Sequence, residues 1–250
     1  MKVFPYLLGF VSLAAVTPLR ATSVLLDFGN NDSFRGLSVS SPDANGNHWN
    51  SVSPGAYFPN LTDTIGTATT IDFGPVSGLA TDSYNGPAGA TNTLTLGTDI
   101  LNTDIDNVAL GNLGTDEGAF DFIVGQSGAG RFEIQGLDPT KSYKLTFFGS
   151  HKYNTDNTTV YSVYSDNTYT SQVATTSLVV GVDNLHNRDS VAVIDNLSPQ
   201  QSNILYIQFG GSNGNNGYLN AMEITVIPEP AAALLASVGL IGMLRRRRNH

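Results

Sequence analysis

Three histidines precede the C-terminal tail, His48, His151 and His186, and there is no cysteine. Thiol catalysis and Cys-ligated zinc are therefore excluded. Serine catalysis needs a hydroxyl, an imidazole base and an orienting acid within reach of one another. The nearest local arrangement of a serine beside a histidine is Phe148-Gly149-Ser150-His151. Neighbouring residues on a strand point to opposite faces, so Ser150 and His151 are not expected to meet. Paired carboxylates are the other hydrolytic possibility. Asp104 and Asp106, with Asp116 and Glu117 nearby, sit in an Asn/Asp/Gly-rich stretch, where acids are favoured simply because they cap turns. The chain reads as non-catalytic.

Two kinds of binding chemistry fit better. Carboxylate and amide oxygens on loops are what a hard cation takes. They gather at Asp43-Ala44-Asn45-Gly46-Asn47, from Asp99 to Asn107, and from Asn154 to Asn157. None has EF-hand spacing, so a structural calcium ion is an expectation without an assigned position, and no other cofactor is implied. Sugar rings stack on aromatic faces. The sole tryptophan, Trp49, stands in the polar run Asn47-His48-Trp49-Asn50, and Tyr84 and Tyr153 are the tyrosines chosen beside it as platforms. Tyr57, Tyr161, Tyr164 and Tyr169 are further aromatic positions, for which packing between strands is the alternative. Tyr161 and Tyr164 have opposite parity and cannot share a face of one regular strand. For Trp49, a platform and a partly buried core residue stand as equal alternatives.

These residues need a scaffold, and the scaffold is β. Between residues 24 and 227 no apolar stripe with helical spacing appears. Short runs rich in Val, Ile, Thr, Tyr and Phe alternate with Gly, Asn, Asp, Ser and Pro. They fall at 24–28, 69–73, 93–96, 119–124, 131–134, 143–148, 160–164, 177–180, 190–194, 204–209 and 218–226. Strands this short and numerous predict an all-β chain, a sandwich of two antiparallel sheets. In Tyr143-Lys144-Leu145-Thr146-Phe147 the odd positions are apolar and the even ones polar, as a strand with one wet face requires. Leu137-Asp138-Pro139-Thr140-Lys141-Ser142-Tyr143 resembles a tyrosine corner, in which the phenol bonds back to the backbone upstream. Asn196-Leu197-Ser198-Pro199 echoes that arch.

Both ends read as processing signals. Lys2 precedes an apolar run from Val3 to Val16, and small residues follow at Ala21-Thr22-Ser23, so residues 1–23 are expected to be a signal peptide cut by signal peptidase. From Ala231 to Leu244 the chain is apolar or small. As a helix it would rise about 21 Å, short of the roughly 30 Å of a bilayer core. Arg245, Arg246, Arg247 and Arg248 then form a dense cationic cluster expected to stay on the cytoplasmic side. Between the two ends, 24–227 is read as one domain. It has six basic residues against twenty acidic ones, a net charge of −14. A body so acidic repels phosphate backbones, so nucleic acid is not an expected partner.

The order Pro228-Glu229-Pro230, apolar helix, arginine cluster closely resembles the PEP-CTERM sorting signal of exported bacterial proteins. That resemblance covers residues 228–250. It implies transient insertion in the inner membrane through a short transmembrane helix, cleavage near Pro228-Glu229-Pro230 by an exosortase-type enzyme, and a destination at the surface or outside the cell. The segments VLLDFGN, HWN, LDPTKSYKLTFFGS and GYLNAMEI resemble a secreted β-sandwich module, similar to galactose-binding-like (jelly-roll) and malectin-like carbohydrate-binding modules. The resemblance implies binding of an extracellular polysaccharide. The alternative is a structural or adhesive matrix protein without a specific ligand, with a secreted hydrolase behind both.

Overall fold

The computed structural model describes residues 22–29, 38–85, 104–151, 157–183, 185–199 and 201–227. The expected signal segment through Ala21, the strand expected at 93–96, Tyr153 and the whole tail from Pro228 lie outside the described residues. Among the described residues no helix is long and apolar enough to cross a membrane.

Five strands form one sheet in the order β11(Ala192–Leu197)-β7(Ser142–Phe148)-β14(Ala221–Ile227)-β1(Ser23–Asp27)-β2(Trp49–Ser51). Six form a second, β10(Leu185–His186)-β9(Gln172–Val182)-β8(Asn157–Tyr164)-β12(Leu205–Gly211)-β6(Gly130–Gln135)-β3(Asp72–Ser77). A small third sheet runs β13(Gly217–Leu219)-β5(Asp121–Gly125)-β4(Leu79–Tyr84). The pairings are antiparallel except that of β1 with β2, which is parallel. Parallel pairing and a third sheet depart from the purely antiparallel, two-sheet expectation. The all-β prediction itself holds.

Why the two large sheets face each other follows from strand parity. Val24 and Leu26 of β1, Leu145 and Phe147 of β7, and Met222 and Ile224 of β14 point inward from one sheet. Phe132 and Ile134 of β6, Tyr161 and Val163 of β8, and Ile207 and Phe209 of β12 meet them from the other. At about 25 cal/mol per Å² of apolar surface removed from water, this shared core dominates the stability. Aromatic pairs tie the layers: Phe147 stacks on Tyr161 with centroids 4.5 Å apart. A second, smaller cluster covers the other face of the five-stranded sheet, where Leu25, Phe148 and Ala221 pack with Val39, Trp49, Leu110 and Leu113.

The arch expected at 137–143 forms. Tyr143 is buried and its hydroxyl accepts the Asp138 N–H at 2.7 Å. The expected strand at 119–124 is shortened, because residues 116–120 form the second of two short helices, α1(Asn107–Leu110) and α2(Asp116–Phe120). The run expected at 218–226 is divided between β13 and β14 by Asn220. Its amide donates to Ala119 O and Asp121 O and accepts the Ser150 N–H, linking three segments that do not pair as strands.

Candidate functional site

Trp49 is not a surface platform. It opens β2 at 5% exposure, its indole packs among Leu25, Val39 and Phe148, and Nε1 donates to Asp43 Oδ2 at 2.9 Å. Neither indole face is open to a pyranose. Its polar sequence neighbours serve the turn that holds it. Asp43 Oδ1 accepts the N–H groups of Asn45 and Asn47. Burial raises the Asp43 pKa, but the hydrogen bonds from Trp49, Asn47 and Asn45 outweigh it and hold the carboxyl below its ordinary value. Tyr84 is the last residue of β4, in register with Asp121. The opposite parity of Tyr161 and Tyr164 holds: Tyr161 points into the core and Tyr164 into a cluster with Tyr169 and Tyr206.

Hydrolytic pairings do not assemble either. The Ser150 hydroxyl donates to Asn187 O at 2.8 Å, while the His151 ring stacks on Tyr218 with centroids 3.8 Å apart. Asp106 caps α1 by accepting from Val108 and Ala109 N–H, and Asp104 pairs with Arg188. Thr115 caps α2, placing Asp116 and Glu117 in its first turn, where acids complement the helix dipole. Of the loops named for a cation, Asp43 is engaged as described and 99–103 and 154–156 lie outside the described residues. Among the described residues no three His, Asp or Glu side chains converge on one point.

The surface with binding geometry is the outer face of the six-stranded sheet. Alternation in Arg131-Phe132-Glu133-Ile134-Gln135 sends the phenylalanine and isoleucine to the core and the three polar side chains outward. Register then places Asp72 beside Gln135, Gly74 beside Glu133, Glu133 beside Tyr206, and Arg131 beside Gln208. The outward groups bond one another: Arg131 Nε donates to Gln208 Oε1 at 2.8 Å and Gln135 Nε2 to Glu133 Oε2 at 2.7 Å. The guanidinium of Arg131 also lies 4.5 Å from the centre of the Tyr169 ring.

At the β3 edge of this face stands Tyr57, 51% exposed. Its hydroxyl donates to Asp72, which raises the phenol pKa and fixes the ring by its tip. Gly74 leaves the floor beside it open, since a Cβ there would sit 3.1 Å from Gln135 Nε2 and 3.7 Å from Tyr57 Cδ2. An exposed ring held at its tip, with carboxylate, amide and guanidinium groups in the adjoining rows, combines a stacking surface with paired donors and acceptors. Asp72, Glu133 and Gln135 escaped the sequence reading, although the period-two pattern at 131–135 was the signal that would have found the last two. A concavity of about 340 Å³ lies elsewhere, at the β9–β10 turn, lined by residues that include Val182, Leu185 and Arg188. The His186 imidazole is its sole aromatic ring, and Arg188 is tied to Asp104.

One further cluster was not anticipated. Asp27, at the end of β1, and Asp121, at the start of β5, are both buried. Burial pushes the Asp27 pKa up to about 8, against the Val39 N–H bond to its Oδ2, with Glu117 adding to the rise. Burial and then the charge of Asp27 raise Asp121 well above the ordinary carboxylate range.

No protein-family model matches the chain, and no curated protein is detectably similar to it in sequence. Among solved structures it is similar to the CBM32 of AlyQ in complex with 4,5-unsaturated mannuronic acid, at 12% identity and a TM-score of 0.28, over 60% of this chain and 92% of that one. It is similar to a family 35 carbohydrate binding module from Clostridium thermocellum at 11% identity and a TM-score of 0.32, covering 68% and 95%. The CBM22-1 xylan-binding domain of Paenibacillus barcinonensis Xyn10C matches at 9% identity and a TM-score of 0.34, covering 63% and 87%.

Proposed function

We propose that the protein is an exported, non-catalytic β-protein that binds extracellular polysaccharide on the outer face of its six-stranded sheet. The observation that carries this reading is Tyr57, an exposed ring pinned through its hydroxyl to Asp72 beside the side-chain-free floor at Gly74. A pyranose presents an apolar face and a rim of hydroxyls. It stacks on such a ring and shares hydrogen bonds with Asp72, Gln135 and Glu133, with few new rotamers to order. The absence of catalysis is supported by the engagement of Ser150 with a backbone carbonyl and of Asp104 and Asp106 with Arg188 and a helix cap.

Export and sorting rest on the two sequence signals. Thr22 and Ser23 carbonyls accept N–H bonds from Val226 and Thr64. The signal-peptidase cut lies around Ala21-Thr22-Ser23, at the small residues that close the apolar run. At the other end, an exosortase-type enzyme acts near Pro228-Glu229-Pro230 and delivers the body to the cell surface or beyond.

The test is retention of the full chain on a panel of soluble and insoluble polysaccharides, comparing wild type, Tyr57→Ala and Trp49→Ala. Truncating an aromatic that carries the stacking contact costs more than about 1 kcal/mol, so Tyr57→Ala should weaken binding roughly fivefold or more. Its unfolding midpoint should stay close to wild type. Trp49→Ala should instead lose about 3–5 kcal/mol of stability, the cost of emptying a buried aromatic site. Binding untouched by Tyr57→Ala, or a stable Trp49→Ala that binds nothing, overturns the assignment of the face.

A further inference from the structure

The acid pair left unexplained by the sheet face lies between the five-stranded and three-stranded sheets. Asp27 is wholly buried: Oδ2 accepts the Val39 N–H at 2.8 Å, and Oδ1 has no hydrogen-bond partner. Asp121 is 2% exposed and neither of its oxygens has a partner. The chain has made room for that carboxyl group. A Cβ at Gly29 would fall 2.1 Å from Asp121 Cγ, so only a glycine two residues after Asp27 lets the Asp121 carboxyl lie against the end of β1, close enough for the charge of Asp27 to act on it.

Three carboxylate oxygens are thus buried without donors. Among the described residues the one ion pair is Arg188 with Asp104, on the surface, and no described lysine or arginine balances the two acids. An uncompensated buried carboxylate costs several kcal/mol, and natural proteins resolve such a cost with a partner charge, a proton or a metal. An oxygen-only donor set with one carboxylate free at both atoms suits calcium, which accepts bidentate carboxylates at irregular angles. Magnesium demands a near-ideal octahedron and keeps its waters.

We propose that Asp27 and Asp121 together hold one calcium ion, which cross-links β1 to β5. The ion's remaining positions are filled by backbone oxygens or water, as is usual for calcium. The site differs from every loop that sequence composition suggested for a cation, and it stands independently of sugar binding at Tyr57. Its consequence is mechanical. A cysteine-free chain acquires an ionic cross-link between two sheets whose strands do not pair.

The experiment uses the full chain stripped with chelator and titrated with CaCl2, read by calorimetry and by the thermal midpoint. One ion per chain should bind, and the midpoint should fall on chelation and recover with CaCl2, as mass action requires for a ligand of the native state. Asp121→Asn and Asp27→Asn keep the side-chain shape and remove one charge each. Both should fold, lose the uptake, and show a midpoint indifferent to chelator. In the wild type, Tb3+ excited through Trp49, which packs with Val39, should emit and be displaced by CaCl2, a readout that needs no variant. Absence of saturable uptake up to about 5 mM CaCl2, above the range of weak extracellular sites, overturns the proposal. So does full uptake in both variants, which would seat the ion elsewhere, and so does an absence of displaceable Tb3+ emission.

Discussion

Acid should weaken this fold through one histidine. His151 is buried, its ring stacked on Tyr218 at 3.8 Å and edge-on to Phe122 at 5.2 Å, and its Nδ1 lies 3.1 Å from the Asn157 amide nitrogen. Burial first, and the nearby His186 second, lower its pKa from 6.5 to about 4. A histidine whose pKa is depressed on folding binds its proton more readily in the unfolded chain. Its contribution to stability is therefore complete above about pH 6.5 and is lost as the pH falls toward 4. At 1.36 kcal/mol per unit the loss comes to about 3 kcal/mol, a large share of the 5–15 kcal/mol typical of a domain. Urea unfolding between about pH 8 and pH 4.5 measures it, with His151→Phe as the reference. Phenylalanine keeps the stack and cannot titrate; the lost bond to Asn157 costs about 1 kcal/mol at every pH. The difference between the two proteins reports His151, because the buried acids Asp27 and Asp121 titrate in both. The variant should overtake the wild type in acid. Parallel curves across the whole range would refute the argument.

Two other outcomes follow from single contacts or motifs. Tyr143→Phe removes the hydroxyl that accepts the Asp138 N–H and should lower stability by about 1 kcal/mol; an unchanged urea midpoint means the arch is held by its apolar packing alone. Replacing Pro228, Glu229 and Pro230 by alanine should leave a larger, membrane-retained product on an immunoblot of the producing cells, and normal processing of that variant would remove the sorting role.

Much of the scaffold was legible because alternation is a local property. Tyr143, Leu145 and Phe147 had to share a face, and they do. Phe148 breaks the alternation because β7 has a second apolar cluster behind it. Helices α1 and α2 were missed since four or five residues cannot display a 3.6-residue stripe. Their caps were nonetheless present, Asp106 ahead of one and Thr115 followed by Asp116 and Glu117 ahead of the other. Trp49 was ambiguous for a different reason. Asn47 looked like part of the surroundings of an exposed ring, whereas its N–H closes a turn on Asp43, and the Asp43 carboxylate accepts the indole N–H. Polarity next to an aromatic in sequence reports the hydrogen bonds of its backbone as often as its exposure.

Asp27 carries the same lesson in reverse. In Val24-Leu25-Leu26-Asp27-Phe28 both parities are apolar, and a strand of that kind must be covered on both faces. Val24 and Leu26 meet the sandwich core, while Leu25 meets the cluster around Trp49. An aspartate in such a run has no wet face to turn to, so its burial follows from the sequence alone. Its partner does not. Asp121 lies ninety-four positions later, and it reaches Asp27 because Gly29 carries no side chain to keep it out. Buried acids announce themselves locally, but the pairing that gives them a purpose is a property of the fold.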